Sequence, residues 1–247
     1  MGFAIFRHAL TMVFRNLLDA FKVSLIPFGI AVVVTVFVTG TLIGSDLLTG
    51  HIDVQDAPLQ LAVLSLLMVV VYMFSFSWVA VNWHRFILLE EYPRWFPEFR
   101  SRPIGPYIWH TIKAALLLMV CLIPIMLIGS FLASALGSLG AQLLVAIVTF
   151  AISYGWLRIA MGLAGTSIGQ PIGLRASWAE TAPLSGAIWG TAFCVMVMGM
   201  VATLFETIGG PVIGPFIGIV VNWITFIVGV SILTTLYGHT VQGRDLV

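Results

Sequence analysis

Six stretches of this chain are apolar over enough residues to cross a bilayer: 23–44, 59–81, 114–135, 141–163, 186–207 and 212–236. A helix needs about 20 residues to span the hydrocarbon core. Backbone polar groups in lipid find no water, so each stretch must satisfy them internally, as a helix does. A transmembrane β-barrel would show short segments of alternating polarity, and the chain has none. Composition excludes the soluble alternative. Hydrophobic residues make up 60% of the chain and charged residues only 9%, against roughly 25% charged in an ordinary soluble protein. The sequence therefore predicts an all-α integral membrane protein with six transmembrane helices. A net charge of +1 argues against nucleic acid as a partner, which would call for a strongly basic surface.

The charges orient the spans. All Lys and Arg residues (Arg7, Arg15, Lys22, Arg85, Arg94, Arg100, Arg102, Lys113, Arg158, Arg175 and Arg244) fall on the side of the N-terminus, whereas Asp46, Asp53, Asp56 and Glu206 fall on the other. The positive-inside rule then places both termini in the cytoplasm. The N-terminus does not read as a cleaved signal, because basic residues interrupt its apolar run and no small-x-small site follows. Phe3, Phe6, Leu10, Val13, Phe14, Leu17 and Phe21 recur at helical spacing, with Arg7, Thr11, Arg15 and Lys22 on another face. Residues 1–22 thus read as an amphipathic helix in the membrane interface, ahead of a six-helix domain over 23–247. It is either an anchor leading into the first span or a gate or docking element.

Connections alternate in length. Those over 82–113 and 164–185 are long; those over 136–140 and 208–211 are tight, so consecutive spans pair as three antiparallel hairpins. Weak repetition agrees: Ser24-Leu25-Ile26-Pro27 resembles Cys121-Leu122-Ile123-Pro124, and the even spans end in Trp83-His84-Arg85, Trp156-Leu157-Arg158 and Tyr237-Gly238-His239. Aromatic and basic endings are also what an interface belt produces. Pro27 and Pro124 lie inside spans, where proline bends a helix. Gly210, Gly214 and Gly218, with Gly186 and Gly190, form stripes that let another helix approach closely, either within the chain or in a homo-oligomer.

Chemistry-bearing groups are few. Cys121 and Cys194 sit in apolar runs and read as small hydrophobes. There is no CxxC, HExxH, P-loop or GxGxxG, and no catalytic residue, cofactor or metal site is expected. His51, Asp53 and Asp56 could hold a divalent cation weakly, or simply form a solvated acidic loop. The most unusual string places Trp83, His84 and Arg85 at the basic-side mouth of span two, with Arg158 about one turn inside span four. Two guanidiniums and an imidazole at one depth could clamp a phosphate or carboxylate, and lipid headgroups are the anions at that level. The plainer reading is interfacial anchoring, with Glu90, Glu91 or Glu180 pairing the arginines. His110 and Lys113 lie at a similar level, with Arg175 and Trp178 on the next connection. Mid-membrane polar groups reduce to Asn222, Gln142, and Thr149, Ser153 and Tyr154 on span four. No acid or His sits at mid-depth, which weakens a proton-coupled transporter.

One segment carries a resemblance. Gly173-Leu174-Arg175-Ala176-Ser177-Trp178-Ala179-Glu180-Thr181-Ala182, followed by Gly186-Ala187-Ile188-Trp189-Gly190, resembles a feature of a bacterial membrane family. That family includes the membrane domain attached to some glycerophosphoryl diester phosphodiesterases and many inner-membrane proteins without a settled activity. The resemblance implies a stand-alone membrane module and lends no catalytic residue. In its own physics, Arg175 and Trp178 share a helical face, Ser177 or Thr181 can cap the helix before span five, and Pro171 and Pro183 bracket the element.

Taken together, the sequence points to a non-enzymatic membrane protein that binds anionic membrane lipids, or a membrane partner, through its basic face. Its centre would be His84, Arg85 and Arg158. The alternatives are a transporter or lipid-translocating permease with a path past Asn222 and Tyr154, or an accessory subunit of a larger complex.

Overall fold

A computed structural model describes residues 1–49 and 58–246; the His51, Asp53 and Asp56 loop lies outside the described residues. The described residues form helices α1 (Gly2–Arg15), α2 (Leu17–Thr49), α3 (Pro58–Leu89), α4 (Ile104–Ile159), α5 (Gly162–Ser167), α6 (Leu174–Glu180), α7 (Ser185–Ile208) and α8 (Gly210–Thr240), with a 3-10 turn over Ala182–Leu184. Among them are six helices long and apolar enough to cross a membrane: Leu17–Thr41, Leu59–Leu89, Ile104–Phe131, Ala133–Ile159, Ala182–Ile208 and Ile213–Thr240. All six predicted spans are present, as three antiparallel hairpins.

The hairpins turn where glycine permits it. The two arms of α4 meet at Gly137, whose φ of +65° is outside the helical region. Leu144 then seats on Gly129, and Leu118 on Gly155. The α7–α8 turn uses Gly210 at φ +64°. Beyond it, a Cβ on Gly214 would lie 2.4 Å from the Glu206 carbonyl oxygen. The stripe of span six is therefore consumed within the chain, in α7–α8 packing, as small-residue faces allow.

The N-terminal element departs from expectation in two ways. First, it breaks at Asn16, which takes non-helical angles while its side-chain amide donates to the Met12 carbonyl at 2.8 Å. Leu17, Phe21 and Lys22 consequently belong to the first spanning helix. Second, α1 also packs into the bundle, with Val13 of its apolar stripe buried and Phe6 and Leu10 partly buried beside it. Gly2, Ile5, Ala9 and Val13 are buried, against α7 and α8, while Phe3 and Phe14 are 68% and 51% exposed. Small residues win this face because they bring backbones together: a Cβ on Gly2 would lie 2.3 Å from the Ala187 carbonyl oxygen, and Gly190 faces Gly2 across the contact. Thr191 Oγ1 donates to the Gly2 carbonyl at 3.2 Å.

Helix α3 packs on α2, α8 and α4, and α7 joins α4 to α8. The packed core lies near the end of the bundle that carries the termini and the arginines, hereafter the basic face. It includes Trp83, Met161, Leu163, Leu236 and Tyr237. Toward the opposite end the spans expose Leu66, Leu127, Phe131, Leu204 and Phe216, surfaces suited to lipid.

Candidate functional site

Near the basic face, polar side chains stitch α3 to α8 and α4. Trp83 Nε1 donates to Ser231 Oγ at 2.8 Å. His84 Nδ1 lies 2.8 Å from Thr234 Oγ1, and its Nε2 lies 3.3 Å from the Tyr107 hydroxyl. Thr234 spends its own hydrogen on the Val230 carbonyl, so a single tautomer, donating through Nδ1 and accepting at Nε2, satisfies every bond. Trp83 and His84 are both 0% exposed. They act as a satisfied polar seam between helices rather than as surface anchors.

Arg85 turns the other way. Its Nε and Nη2 donate to the two oxygens of Glu91 at 3.0 and 2.5 Å, and Nη1 donates to the Ser167 carbonyl at 3.0 Å. Arg102 Nη1 donates to the same carboxylate and Nη2 stands 3.7 Å from Glu98. The hydrogen bonds from Arg85 hold the Glu91 carboxyl below its ordinary range; partial burial opposes this and Arg102 adds to it. Around the triad is a polar pocket of about 400 Å3 lined by Asn82, Arg85, Arg94, Glu98, Ser101 and Arg102. Of the carboxylates expected to pair the arginines, Glu91 does so; Glu90 and Glu180 form no ion pair among the described residues. Arg102 was not singled out from sequence, and its signal, an Arg closing the loop that Glu91 opens, is weak.

Arg158 is caged separately. Its Nε donates to Thr181 Oγ1 at 3.1 Å, Nη1 to the Tyr154 hydroxyl at 2.9 Å and Nη2 to the Trp178 carbonyl at 2.5 Å. The guanidinium also stacks 3.8 Å over the Trp178 ring and is only 5% exposed. Ser177 Oγ donates to the Arg158 carbonyl at 2.8 Å. Arg158 thus fastens α6 and the following turn onto α4. Its partners and those of Arg85 are disjoint, so the expected two-arginine clamp with His84 is not assembled. Trp178 does join Arg158, as its ring and carbonyl partner. Arg175 is exposed and unpaired among the described residues. His110 bonds Thr166 through Nδ1 at 3.1 Å while its buried Nε2 has no partner. Lys113 lies 6.0 Å over Trp109.

A larger space lies in the membrane region. α2 and α8 both pack on α3, and between them opens a cleft of about 1340 Å3. Phe28, Phe76 and Phe226, one from each helix, meet with ring centroids 4.8 to 5.9 Å apart. Tyr72 bonds Thr35 at 2.8 Å. Toward the far end Asn222 Nδ2 donates to Glu206 Oε1 at 2.7 Å, and both residues line the cleft. The sequence puts Glu206 at the end of the span over 186–207, on the side opposite the arginines, and Asn222 as the clearest amide within a span, with no sign that the two meet. Tyr154, expected on a common path with Asn222, lies elsewhere: it stacks on Trp189 at 3.8 Å and bonds Ser185.

No family model, curated protein or solved structure matches this chain.

The chemistry on offer is therefore that of the chain's own residues. Among the described residues, no three His, Cys, Asp or Glu side chains gather to hold a metal ion. The polar pocket is lined by three guanidiniums, of Arg85, Arg94 and Arg102, and two carboxylates, of Glu91 and Glu98. The cleft offers apolar and aromatic walls with a single carboxylate–amide pair, the composition of a site that binds a mostly apolar molecule and orients its polar end.

Proposed function

We propose that this polytopic membrane protein is a non-enzymatic binder of lipid-like amphiphiles, and that the cleft between α2, α3 and α8 holds the apolar part of the molecule. The observation that carries the reading is the cleft itself. At about 1340 Å3 it exceeds the roughly 300–1,000 Å3 of ordinary small-molecule pockets, and its walls are chiefly Phe, Leu, Ile, Val and Trp. An acyl chain or a fused apolar body fits such walls. Binding of this kind serves a lipid-handling protein or a permease equally.

The reading takes the basic face as cytoplasmic, on the positive-inside rule. Arg7, Arg15, Arg94, Arg100 and Arg175 are exposed there without ion-pair partners among the described residues. Each basic residue near an anionic leaflet contributes about 1 kcal/mol of attraction, so anionic lipid gathers on this face. A second reading, a discrete anion site in the Arg85–Arg102 pocket, is favoured by one observation: Arg102 Nε is buried without a partner. The 173–190 segment that resembles the phosphodiesterase-associated membrane family serves as the connector that Arg158 fastens.

Gly29 lines the cleft, and a Cβ placed on it meets nothing within 4 Å. Gly29→Phe therefore starts from an unobstructed Cβ and adds a ring at the cleft wall. In native mass spectrometry from a neutral maltoside detergent, wild type should retain lipid and Gly29→Phe should lose it. Equal retention by the two proteins overturns the proposal.

A further inference from the structure

We infer that the cleft selects cationic amphiphiles, molecules carrying an ammonium or comparable cation on an apolar body, with Glu206 as the group that recognises the charge. The inference rests on the reading that the cleft holds an amphiphile, and it names the class.

Among the described residues Glu206 is the single charged one lining the cleft, and it is in no ion pair among them. The arginines lie toward the other end of the bundle. Glu206 is near the far end of α7 (Ser185–Ile208), about 30 Å from the basic face at 1.5 Å rise per residue. An acidic group in a membrane helix is costly unless something compensates it. Within the chain the compensation is one hydrogen bond, from Asn222 Nδ2 to Oε1 at 2.7 Å. That bond holds the carboxyl toward the cleft while leaving Oε2 for a ligand.

The place is also cleared for it. A Cβ on Gly218 would lie 3.0 Å from Glu206 Oε1. Glycine at that position lets the acid side chain lie along α8 as far as Asn222. The same cleft is lined by Trp223, Phe226, Phe28 and Phe76. Ring faces attract cations and accept apolar bodies alike. An anionic headgroup would meet repulsion here, and a neutral one would leave the carboxyl uncompensated. Only a cation satisfies the carboxylate and the walls together.

Such a cation has two sources: a membrane-soluble amine or onium compound, or the ammonium group of a zwitterionic lipid. The test uses purified wild type, Glu206→Gln, Asn222→Leu and Gly29→Phe in a neutral maltoside detergent. Binding of labelled tetraphenylphosphonium is measured beside labelled triphenylmethanol, a neutral molecule of similar rings. Wild type should bind both. Glu206→Gln should weaken the cation on the order of tenfold, the loss of one charge contact, and leave the neutral probe unchanged. Asn222→Leu, which keeps the charge but frees the carboxyl, should weaken the cation less than Glu206→Gln does. Cation binding unchanged in both variants overturns the inference while leaving the cleft reading intact. Failure of wild type to bind either probe overturns the cleft reading itself. Native mass spectra with phosphatidylethanolamine and phosphatidylglycerol in equal amounts separate the sources: retention of the former in wild type, lost in Glu206→Gln, assigns the lipid headgroup.

Discussion

Arg158 is a cation buried in a spanning helix with no carboxylate beside it, and the structure says what its replacement should cost. The guanidinium makes three hydrogen bonds and one ring stack. Charge-assisted bonds contribute about 1.5 kcal/mol each and a desolvated stack on Trp about 1 kcal/mol or more, so the gross loss is about 5–6 kcal/mol. Two terms reduce it. Partners keep other bonds: Thr181 has one hydroxyl hydrogen, in reach of the Ser177 and Trp178 carbonyls, and Tyr154 bonds Ser185. Removing the charge also returns its desolvation cost, several kcal/mol. Arg158→Met, which fills the space without charge, should therefore destabilise by only about 1–2 kcal/mol. Arg158→Lys should be worse, about 3 kcal/mol, because it keeps the charge to be desolvated but cannot fork to three acceptors. At about 3 °C per kcal/mol for a chain of this size, the lysine variant should melt roughly 9 °C lower and the methionine variant about 3–6 °C lower. Thermal unfolding in detergent measures this. Limited proteolysis supplies a local readout, since α6 (Leu174–Glu180) should be cut faster in the lysine variant. A lysine variant as stable as wild type, or more stable than the methionine variant, would refute the reasoning.

Two further outcomes follow from single contacts. Gly2→Val should detach α1 from α7, because even a Cβ there would lie 2.3 Å from the Ala187 carbonyl oxygen; a spin label on the exposed face of α1 would report the gain in mobility, and unchanged spectra would count against the packing. The Arg85–Glu91–Arg102 contact should make stability acid-sensitive. The folded-state carboxyl is held below its ordinary value of 4.5, so its contribution is fully present above that pH and is lost as the pH falls through the lower folded value. Melting temperatures of wild type and Glu91→Gln should differ at pH 7 and converge as the pH is lowered below 4.5, and a difference that is constant with pH would show that Glu91 does not act through its charge.

The spans and hairpins were readable because their causes are local. Bilayer thickness sets a length that 114–135 or 212–236 either meets or does not, and Gly137 and Gly210 mark reversals by their own backbone freedom. What could not be read is which way each helix is turned. A soluble helix declares its buried face by apolar spacing, but a spanning helix is apolar all round, and lipid accepts Phe3 or Phe14 as readily as a core would. The face that packs is marked instead by small residues, which is why Gly2 and Ala9, not the phenylalanines, carry α1 onto α7 and α8. The same ambiguity divided the expected anion clamp. Arg85 and Arg158 sit near one end of their helices, as the sequence implies, but rotation sends one to Glu91 and the other under Trp178. It also hid the meeting of Glu206 with Asn222, which depends on a turn at Gly210 and on glycines at 214 and 218 clearing a path along α8. In a membrane bundle, then, hydropathy reports depth and glycine reports contact. The polar residue most worth testing is one that glycines bring into a cleft without an ion-pair partner among the described residues, a description that Glu206 meets and that the well-partnered arginines do not.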